Sequence, residues 1–227
     1  MRSDVAALIP AYEAGKTVTD VVAGVRAHVT RVLVVDDGSR DDTAARAAAA
    51  GAEVLRHTVN AGKGAALATG LRALATTGVE RALTVDADGQ HLPSEIPALL
   101  AASDGEPHAI VVGVRKKAGH TIRRINRFGN WIADRLLRAI AGRPLPDTQS
   151  GFRVYPVAAT LALGVQGTRY DFETEVLLRA ARHGIPLVGV PVEVHYLPIA
   201  ERVSHYRTGR DTLRIIGTVV RLLAHPG

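Results

Sequence analysis

The chain has 227 residues and no cysteine, and 47% of its residues are hydrophobic against 22% that are charged. The lack of cysteine excludes a disulfide scaffold, thiolate catalysis and any Cys-based metal site. The composition is that of a globular chain, expected to form a single domain over residues 1–227, and it excludes a disordered or fibrous protein. The formal net charge is +6, so an anionic partner is expected.

In chain order, the first half alternates two kinds of segment. Short β-branched runs predict strands at Val5–Ile9, Arg31–Asp36, Ala52–Arg56, Arg81–Asp86 and Ala109–Val114. Segments rich in Ala and Leu at helical spacing predict helices at Lys16–His28, Asp41–Ala50, Lys63–Ala75 and Ser94–Ala102. This alternation predicts an α/β fold with a mostly parallel central sheet flanked by helices.

The second half has a different pattern. It predicts a long helix at Thr121–Ala141, a helix around Phe172–His183, a strand around Pro186–Val194, a polar loop at His195–Gly209 and a last helix at Arg210–Ala224. The first and last of these helices are amphipathic, with arginines on one side. Such a helix either lies at a membrane interface or packs its apolar stripe on the sheet, and the pattern leaves both interpretations open.

Positive charge is concentrated between Arg115 and Arg153. This basic segment holds ten Arg or Lys residues against two acidic ones, Asp134 and Asp147. A block of this kind binds nucleic acid, anionic lipid or a phosphorylated small molecule, and composition does not separate these three.

No apolar run is long enough for a signal peptide or a membrane span. The run Val5–Ile9 ends at Pro10, and the most apolar stretch, Leu213–Ala224, is broken by two arginines. We therefore expect a cytoplasmic protein that meets membranes only from outside.

Polar residues follow the predicted strands, at the sheet edge where ligands bind in open α/β folds. Asp86 and Asp88 are two positions apart at a strand end, so in extended geometry their side chains point the same way and can share a cation. Together with Gln90 they supply oxygen ligands, which suit Mg²⁺ or Mn²⁺. The alternative is a turn that caps the next helix.

Two further segments carry weaker signals. Asp36-Asp37-Gly38-Ser39 is either a turn or an acceptor for a nucleobase edge. Asn60–Gly64 enters a helix and can meet phosphate through backbone N–H groups and Lys63, although it lacks the P-loop spacing.

Taken together, the order and spacing of six motifs resemble the family-two inverting glycosyltransferases of the GT-A fold, and among them the polyprenyl-phosphate group typified by dolichol-phosphate mannose synthase. The motifs are Ile9-Pro10-Ala11-Tyr12, Val34–Ser39 with Asp42-Thr43, Asn60-x-Gly62-Lys63-Gly64, Asp86-x-Asp88-Gly89-Gln90-His91, Gly113-x-Arg115 and Asp147-Thr148-Gln149-Ser150-Gly151-Phe152-Arg153. The similarity spans nearly the whole chain. It differs at Glu13, where the family continues with Asn-Glu, so the ribose-binding acid is either Glu13 or absent.

The resemblance implies a nucleotide-sugar-binding half at residues 1–114 and an acceptor-binding half at 115–227. It implies donor-binding roles for Pro10, Tyr12, Glu13, Asp37, Lys63, Asp86 and Arg202. It implies that Asp86, Asp88 and Gln90 hold Mg²⁺ or Mn²⁺. It implies catalytic roles for Asp88, Arg115, Arg127 and Asp147, with the acceptor phosphate held by Arg115, Arg123 and Arg127.

The acceptor would account for the arginines. A lipid monophosphate has a second pKa of about 6, so it is mostly a dianion near neutral pH and needs no general base. The site has to hold that phosphate in line with the anomeric carbon, which suits guanidinium groups. Asp147 would then orient an arginine, or serve as general base if the acceptor were a hydroxyl.

The expected activity is metal-dependent transfer of a hexose, from a donor of the GDP-mannose or UDP-glucose type, to a polyprenyl or dolichyl phosphate. The expected location is the cytoplasmic face of a membrane, bound peripherally, with a membrane protein as a further partner, since the chain lacks the C-terminal membrane helices of many relatives. One alternative is the same fold acting on a saccharide or other hydroxyl. A third is a basic nucleic-acid-binding domain, which the 4% aromatic content disfavours because stacking residues are scarce, so no nucleic-acid partner is expected.

Overall fold

The computed structural model describes residues 4–115, 145–195, 214 and 216–222. The elements of the first part are β1 (Val5–Ala11), α1 (Val18–Arg26), β2 (Arg31–Asp36), α2 (Thr43–Ala49), β3 (Glu53–Arg56), α3 (Lys63–Ala75), β4 (Arg81–Thr84), a 3₁₀ turn (Pro93–Glu95), α4 (Ile96–Gly105) and β5 (Ile110–Arg115). They are followed by β6 (Arg153–Pro156), α5 (Val157–Ala162), α6 (Asp171–Arg182) and β7 (Leu187–Val192). Residues 216–222 are helical.

The strands form one sheet of seven in the order β3-β2-β1-β4-β6-β5-β7. Strands β1 to β4 pair in parallel, β5 pairs in parallel with β7, and β6 runs antiparallel to both β4 and β5. The predicted α/β fold with a mostly parallel sheet is therefore confirmed. Because the chain leaves β1 in one direction to β2 and returns on its other side at β4, the strand order reverses at β1, which is where open α/β sheets bind ligands.

Alternating side chains of β1 belong to two cores, one on each face of the sheet. Ala6 and Leu8 pack with helices α3, α5 and α6, whereas Ala7 and Ile9 pack with α1, α2 and α4. Successive residues of a strand point to opposite faces, so a strand covered on both sides must be apolar throughout. All seven residues of β1 are buried, and burying each large aliphatic side chain contributes roughly 1.5–3 kcal/mol.

The structure corrects one boundary next to the site and adds two elements. Strand β4 ends at Thr84 rather than at Asp86, and a turn follows at Ala87 and Asp88. The sequence pattern does not predict the short strand β6, which begins at the last residue of the basic segment, or helix α5. Strand β6 joins the two predicted halves, because it lies between β4 and β5 in the sheet.

Some expectations lie outside the described residues. These are the helix predicted at Thr121–Ala141 and residues 196–209 of the predicted polar loop. Within the predicted last helix, residues 216–222 are helical, and Val219 and Leu222 are buried against the core formed with α6. In the described part of the chain, no helix has both the length and the apolarity that a bilayer crossing requires.

Candidate active site

A cleft of about 170 Å³ opens at the carboxyl ends of β1, β2 and β4. It brings together six residues that the sequence proposes for the donor and its cation, namely Pro10, Tyr12, Asp37, Lys63, Asp86 and Asp88. Pro10 and Tyr12 lie at the end of β1, Asp37 follows β2, Asp86 and Asp88 follow β4, and Lys63 opens α3. The sheet topology therefore accounts for their meeting. Arg169 and Tyr170, just before α6, and Asn60, in the loop before α3, also line the cleft.

Asp37 fastens the end of β2 to the loop that opens α3. Its carboxylate accepts hydrogen bonds from the backbone N–H groups of Ala61, at 2.9 Å, and Gly62, at 2.7 Å. Nδ1 of His57 lies 2.7 Å from the same carboxylate, and Nε2 lies 3.0 Å from the Thr69 hydroxyl on α3. No motif of the sequence predicts a functional role for His57, and its only signal is its position directly after β3.

Glu13 lies between Tyr12 and Ala14, two residues that line the cleft. Its backbone N–H donates to the Ser39 hydroxyl at 2.9 Å, and its carboxylate accepts from the backbone N–H of Arg40 at 2.8 Å. Glu13 has a φ of 51°, a left-handed conformation that is uncommon outside glycine. These bonds tie the end of β1 to the Asp-Gly-Ser loop, and a ribose contact for Glu13 stays a prediction.

The first acid of the Asp-x-Asp segment is engaged by a lysine. Nζ of Lys63 lies 2.6 Å from Oδ1 of Asp86 and 3.0 Å from Oε1 of Glu173 on α6. The Asp86 side chain is 23% exposed, and Nε2 of His91 lies 3.6 Å from its other oxygen. Burial alone would raise the pKa of Asp86, but Lys63 and His91 hold that pKa far below its ordinary value.

Lys63 is kept in its charged form by the carboxylates that it contacts. Burial alone would lower its pKa, but the carboxylates of Asp86 and Glu173 raise it well above its ordinary value. The sequence predicts Lys63 as a donor-binding residue, and it does line the cleft. Its buried partner Glu173, 110 positions away, was not predicted to take part.

Asp88 is placed by a turn rather than by extended strand geometry. Because β4 ends at Thr84, Asp88 lies in the turn that follows, and its Oδ1 accepts the backbone N–H of Gln90 at 3.0 Å. Both carboxylates nevertheless face the same cleft, and burial together with the charge of Asp86 raises the pKa of Asp88. The extended-strand argument for the pair is therefore wrong, although the two acids do meet.

Gln90 and His91 have structural partners nearby. The backbone carbonyl of Gln90 accepts the N–H of His195 at 2.9 Å, so the Asp-x-Asp turn is joined to the segment after β7. The His91 ring stacks on Phe152, with the ring centroids 4.8 Å apart. A ligand role for the Gln90 side chain stays a prediction.

Arg153 is buried rather than part of a basic surface. It is 0% exposed, and its guanidinium donates to the carbonyl oxygens of Ser150, Thr148 and Glu173 at 2.7, 3.0 and 2.8 Å. The sequence places Arg153 in the basic segment, which is expected to meet an anionic partner. The structure corrects this, because every one of these acceptors is backbone of the protein itself.

Arg115 and Asp147 form a bidentate ion pair at the border of the basic segment. Nε and Nη2 of Arg115 donate to the two carboxylate oxygens at 2.6 and 3.0 Å. Burial alone would raise the pKa of Asp147, but the hydrogen bonds from Arg115 hold it below its ordinary value. A carboxylate held in this way is a weak base, and an orienting role for Asp147 stays a prediction. The other proposed arginines, Arg123, Arg127 and Arg202, lie outside the described residues.

The mostly parallel sheet, covered on both faces and with a carboxylate-lined cleft at its switch point, has the GT-A-like α/β architecture. The sequence pattern of glycosyl transferase family 2 matches residues 6–163, and the chain belongs to this family. The predicted family and the prediction of an enzyme are thereby confirmed.

Several relatives carry names that state a lipid phosphate. The chain is 32% identical to polyprenol monophosphomannose synthase of Mycolicibacterium smegmatis, over 82% of this chain and 75% of the relative. It is 30% identical to undecaprenyl-phosphate mannosyltransferase of Micrococcus luteus, over 82% and 81%. It is also 28% identical to UDP-N-acetylglucosamine–dolichyl-phosphate N-acetylglucosaminyltransferase of Methanococcus voltae, over 92% and 90%.

Solved structures show the same fold at lower identity. Glucosyl-3-phosphoglycerate synthase from Mycobacterium tuberculosis, in complex with Mn²⁺, UDP-glucose and phosphoglyceric acid, superposes with a TM-score of 0.73. The superposition covers 96% of this chain and 78% of the synthase, at 22% sequence identity. This similarity supports the fold alone.

Proposed function

We propose that this glycosyltransferase moves a hexose from a nucleoside-diphosphate sugar to a polyprenyl phosphate, with inversion at the anomeric carbon. An oxygen of the acceptor phosphate forms the new bond to the anomeric carbon, and the bond from that carbon to the donor diphosphate breaks. The products are a polyprenyl-phosphate sugar and a nucleoside diphosphate. The observation that carries the proposal is the similarity, over most of the chain, to three relatives named for lipid phosphates.

The cleft supports the donor side of the proposal. Tyr12, Asp37, Lys63, Asp86 and Asp88 all line the cleft. We assign Tyr12 and Asp37 to the nucleoside, and Lys63, Asp86 and Asp88 to the diphosphate. Departure of the diphosphate adds negative charge to it, so a cationic group placed there stabilises the transition state more than the ground state. Lys63 is such a group within the protein itself.

The carboxylates fit a divalent cation that is shared with the substrate. Among the described residues, no cluster of three or more acidic or histidine side chains could hold a metal alone. Mg²⁺ is commonly bound by one or two carboxylates together with substrate phosphates, and Asp86 and Asp88 provide two. We propose that these two residues hold Mg²⁺ or Mn²⁺ with the donor. When bound, the ion supplies Lewis-acid stabilisation of the leaving diphosphate.

The pair of Arg115 and Asp147 supports a phosphate acceptor over a hydroxyl. A hydroxyl acceptor needs a base, whereas the pKa of Asp147 is held below its ordinary value by Arg115. A phosphate dianion needs positioning, for which a guanidinium fixed on both oxygens of a carboxylate is well suited. We propose that Arg115, with Arg123 and Arg127 of the basic segment, holds the acceptor phosphate.

A lipid acceptor implies work at a membrane surface. The basic segment would attract anionic lipid headgroups, and the arginines of an interfacial helix would remain in the headgroup layer. We therefore propose peripheral association with a membrane, with or without a membrane-protein partner.

The test measures transfer of the sugar to a lipid phosphate and compares it with transfer to a matched control lipid. The protein is incubated with labelled GDP-mannose or UDP-glucose, Mg²⁺ or Mn²⁺, and undecaprenyl or dolichyl phosphate, and the organic phase is counted. We expect a glycolipid whose formation requires the phosphate, so the corresponding polyprenol without phosphate serves as control. A water-soluble product alone would overturn the lipid acceptor and favour a saccharide or other hydroxyl.

The donor is identified by binding before any transfer is measured. A thermal-shift panel compares GDP, UDP and their sugars, each with and without Mn²⁺. We expect one nucleotide to raise the melting temperature, and to raise it further with Mn²⁺, because a ligand that binds only the folded state stabilises it. Equal shifts with and without Mn²⁺ would contradict the metal dependence.

A further inference from the structure

Lys63 contacts two carboxylates that belong to different parts of the fold. Its Nζ lies 2.6 Å from Asp86, which follows β4, and 3.0 Å from Glu173, in the first turn of α6. The lysine side chain is 17% exposed and that of Glu173 is 4% exposed, so solvent screens this ion pair only weakly. The ring of Tyr170 covers the ammonium group at 5.9 Å.

We propose that Lys63 competes with the divalent cation for the carboxylate of Asp86. Its ammonium group stays bound to Asp86 until the donor diphosphate arrives, so that cation and nucleotide bind together. The inference rests on the proposed function, because it takes Asp86 and Asp88 as the cation's ligands. It adds a task for Lys63 and a positioning role for Glu173.

The competition follows from the geometry at Asp86. Oδ1 of Asp86 already contacts Nζ of Lys63 at 2.6 Å, and Oδ2 lies 3.6 Å from Nε2 of His91. A divalent cation bound to this carboxylate lies about 2.1 Å from its oxygen, so it would be within a few ångströms of the lysine charge. Two cations that close in a poorly solvated cleft repel strongly. A cation arriving alone must therefore displace Lys63 from Asp86.

A diphosphate changes this balance. It brings acceptor oxygens to the end of the cleft that Lys63 lines, so the lysine can exchange its bond to Asp86 for one to phosphate. Asp86 is then free to bind the cation beside Asp88. The nucleotide thus strengthens cation binding through Lys63 as well as through its own oxygens, and by linkage the cation strengthens nucleotide binding equally.

Glu173 keeps the lysine in place during this exchange. It is 3% exposed and accepts from Nζ, so Lys63 retains one buried carboxylate when it leaves Asp86. Its helix also carries Asp171 and Glu175, but Glu175 is engaged elsewhere, by Arg179 at 2.7 Å and Arg221 at 2.8 Å. Among the described residues, Asp86 and Glu173 are the two carboxylates that contact Lys63, so without Glu173 the lysine keeps Asp86 alone.

The experiment measures Mn²⁺ binding rather than turnover. Electron paramagnetic resonance of free aqueous Mn²⁺ gives the dissociation constant for the whole protein, first with Mn²⁺ alone and then with saturating UDP or GDP. The variants are Lys63→Met, which keeps the length but not the charge, Glu173→Gln, and Asp88→Asn, which shows that the signal comes from this site. Near-ultraviolet circular dichroism checks that each variant is folded.

We expect Lys63→Met to bind Mn²⁺ alone at least about fivefold more tightly than the unaltered protein, and to lose part of the enhancement by nucleotide. Glu173→Gln should act in the opposite direction, because it leaves Lys63 more dependent on Asp86. This second variant tests the inference even if Lys63→Met does not fold.

Two results would overturn the inference, and the second would also remove the proposed metal dependence. Unchanged or weaker binding of Mn²⁺ alone by Lys63→Met, with nucleotide still recruiting Mn²⁺ to the unaltered protein, removes the competition and leaves the proposed function intact. No binding of Mn²⁺ by the unaltered protein, even with saturating UDP or GDP, removes both the competition and the proposed metal dependence.

Discussion

Gly151 lies directly against the carboxylate of Asp86. A Cβ atom at position 151 would be 2.5 Å from each of the two carboxylate oxygens. The backbone around Gly151 is held in place, because its carbonyl accepts from the Thr84 hydroxyl at 2.8 Å and the neighbouring Ser150 carbonyl accepts from Arg153 at 2.7 Å. The Gln-Ser-Gly-Phe-Arg motif therefore shapes the proposed metal site, although no atom of Gly151 carries charge.

Gly151→Ala should impair the donor site without unfolding the protein. Because the backbone is fixed, the added methyl group has to push Asp86 away from Lys63 and Asp88. We expect kcat/KM to fall at least about 100-fold, a loss of the size seen when one electrostatic group of an active site is removed. Gly105→Ala is the control, since a Cβ there meets nothing within 4 Å. Equal activity of the two variants would contradict the role of this contact.

His57 should act on nucleotide binding through Asp37. In His57→Asn the side-chain amide can still donate from the position of Nδ1, whereas in His57→Gln the amide reaches the position of Nε2 and the bond to Asp37 is lost. We expect His57→Gln to weaken nucleotide binding about tenfold, and His57→Asn to retain most of the affinity. Isothermal titration with UDP and GDP measures both.

A purely structural role for His57 would give a different pattern. In that case both variants would lower the melting temperature, while their affinity for nucleotide at low temperature would equal that of the unaltered protein. Thr69→Val removes the hydroxyl on the far side of the ring at nearly constant volume, and we expect an intermediate loss of affinity because the ring is then less firmly oriented.

Most elements of the first half could be predicted from the sequence because their signals are local. Strands β1 and β2 are continuous apolar runs, and α3 is predicted at its observed bounds, Lys63–Ala75. Strand β6 was missed because it has only four residues, begins with Arg153 and ends with Pro156. It is a strand because β4 and β5 pair with it on both sides, and such distant pairing leaves no periodicity in the segment itself.

The charged residues of the site show the same limit. Asp86 and Asp88 could be identified because they follow a strand in a short motif, but their geometry comes from a turn. Arg153 and Glu173 could not be placed, because a charged residue in a sequence is by default assigned to the surface. Both are buried, because Glu173 binds Lys63 from 110 positions away, and Arg153 binds nearby carbonyl oxygens together with that of Glu173.

Asp147 should make a contribution to stability that depends on pH. Its pKa is lower in the folded protein than in the unfolded chain, so the contribution is fully present above the ordinary carboxyl pKa of about 3.9 and is lost as the pH falls through the folded value. We expect Asp147→Asn to lower the free energy of unfolding by about 1 kcal/mol at pH 7, a modest figure because Arg115 is 33% exposed. Urea denaturation at pH 7, 5 and 3 should show the difference shrinking at pH 3.

A difference independent of pH would contradict the assignment. The control is Asp42→Asn, which breaks an exposed pair with Arg46.

Arg221 should anchor the helical residues 216–222 to the core through Glu175. Glu175 is 0% exposed and accepts from Nη2 of Arg221 at 2.8 Å, from Nε of Arg179 at 2.7 Å and from the N–H of Gly167 at 2.9 Å. Arg221→Met leaves a buried carboxylate with one guanidinium fewer, which should lower the free energy of unfolding by about 1–2 kcal/mol. The exposed Arg214 offers a matched control, and Arg214→Met should change stability by less than about 0.5 kcal/mol. Chemical denaturation of the two variants measures the difference, and equal values would show that Glu175 does not depend on Arg221.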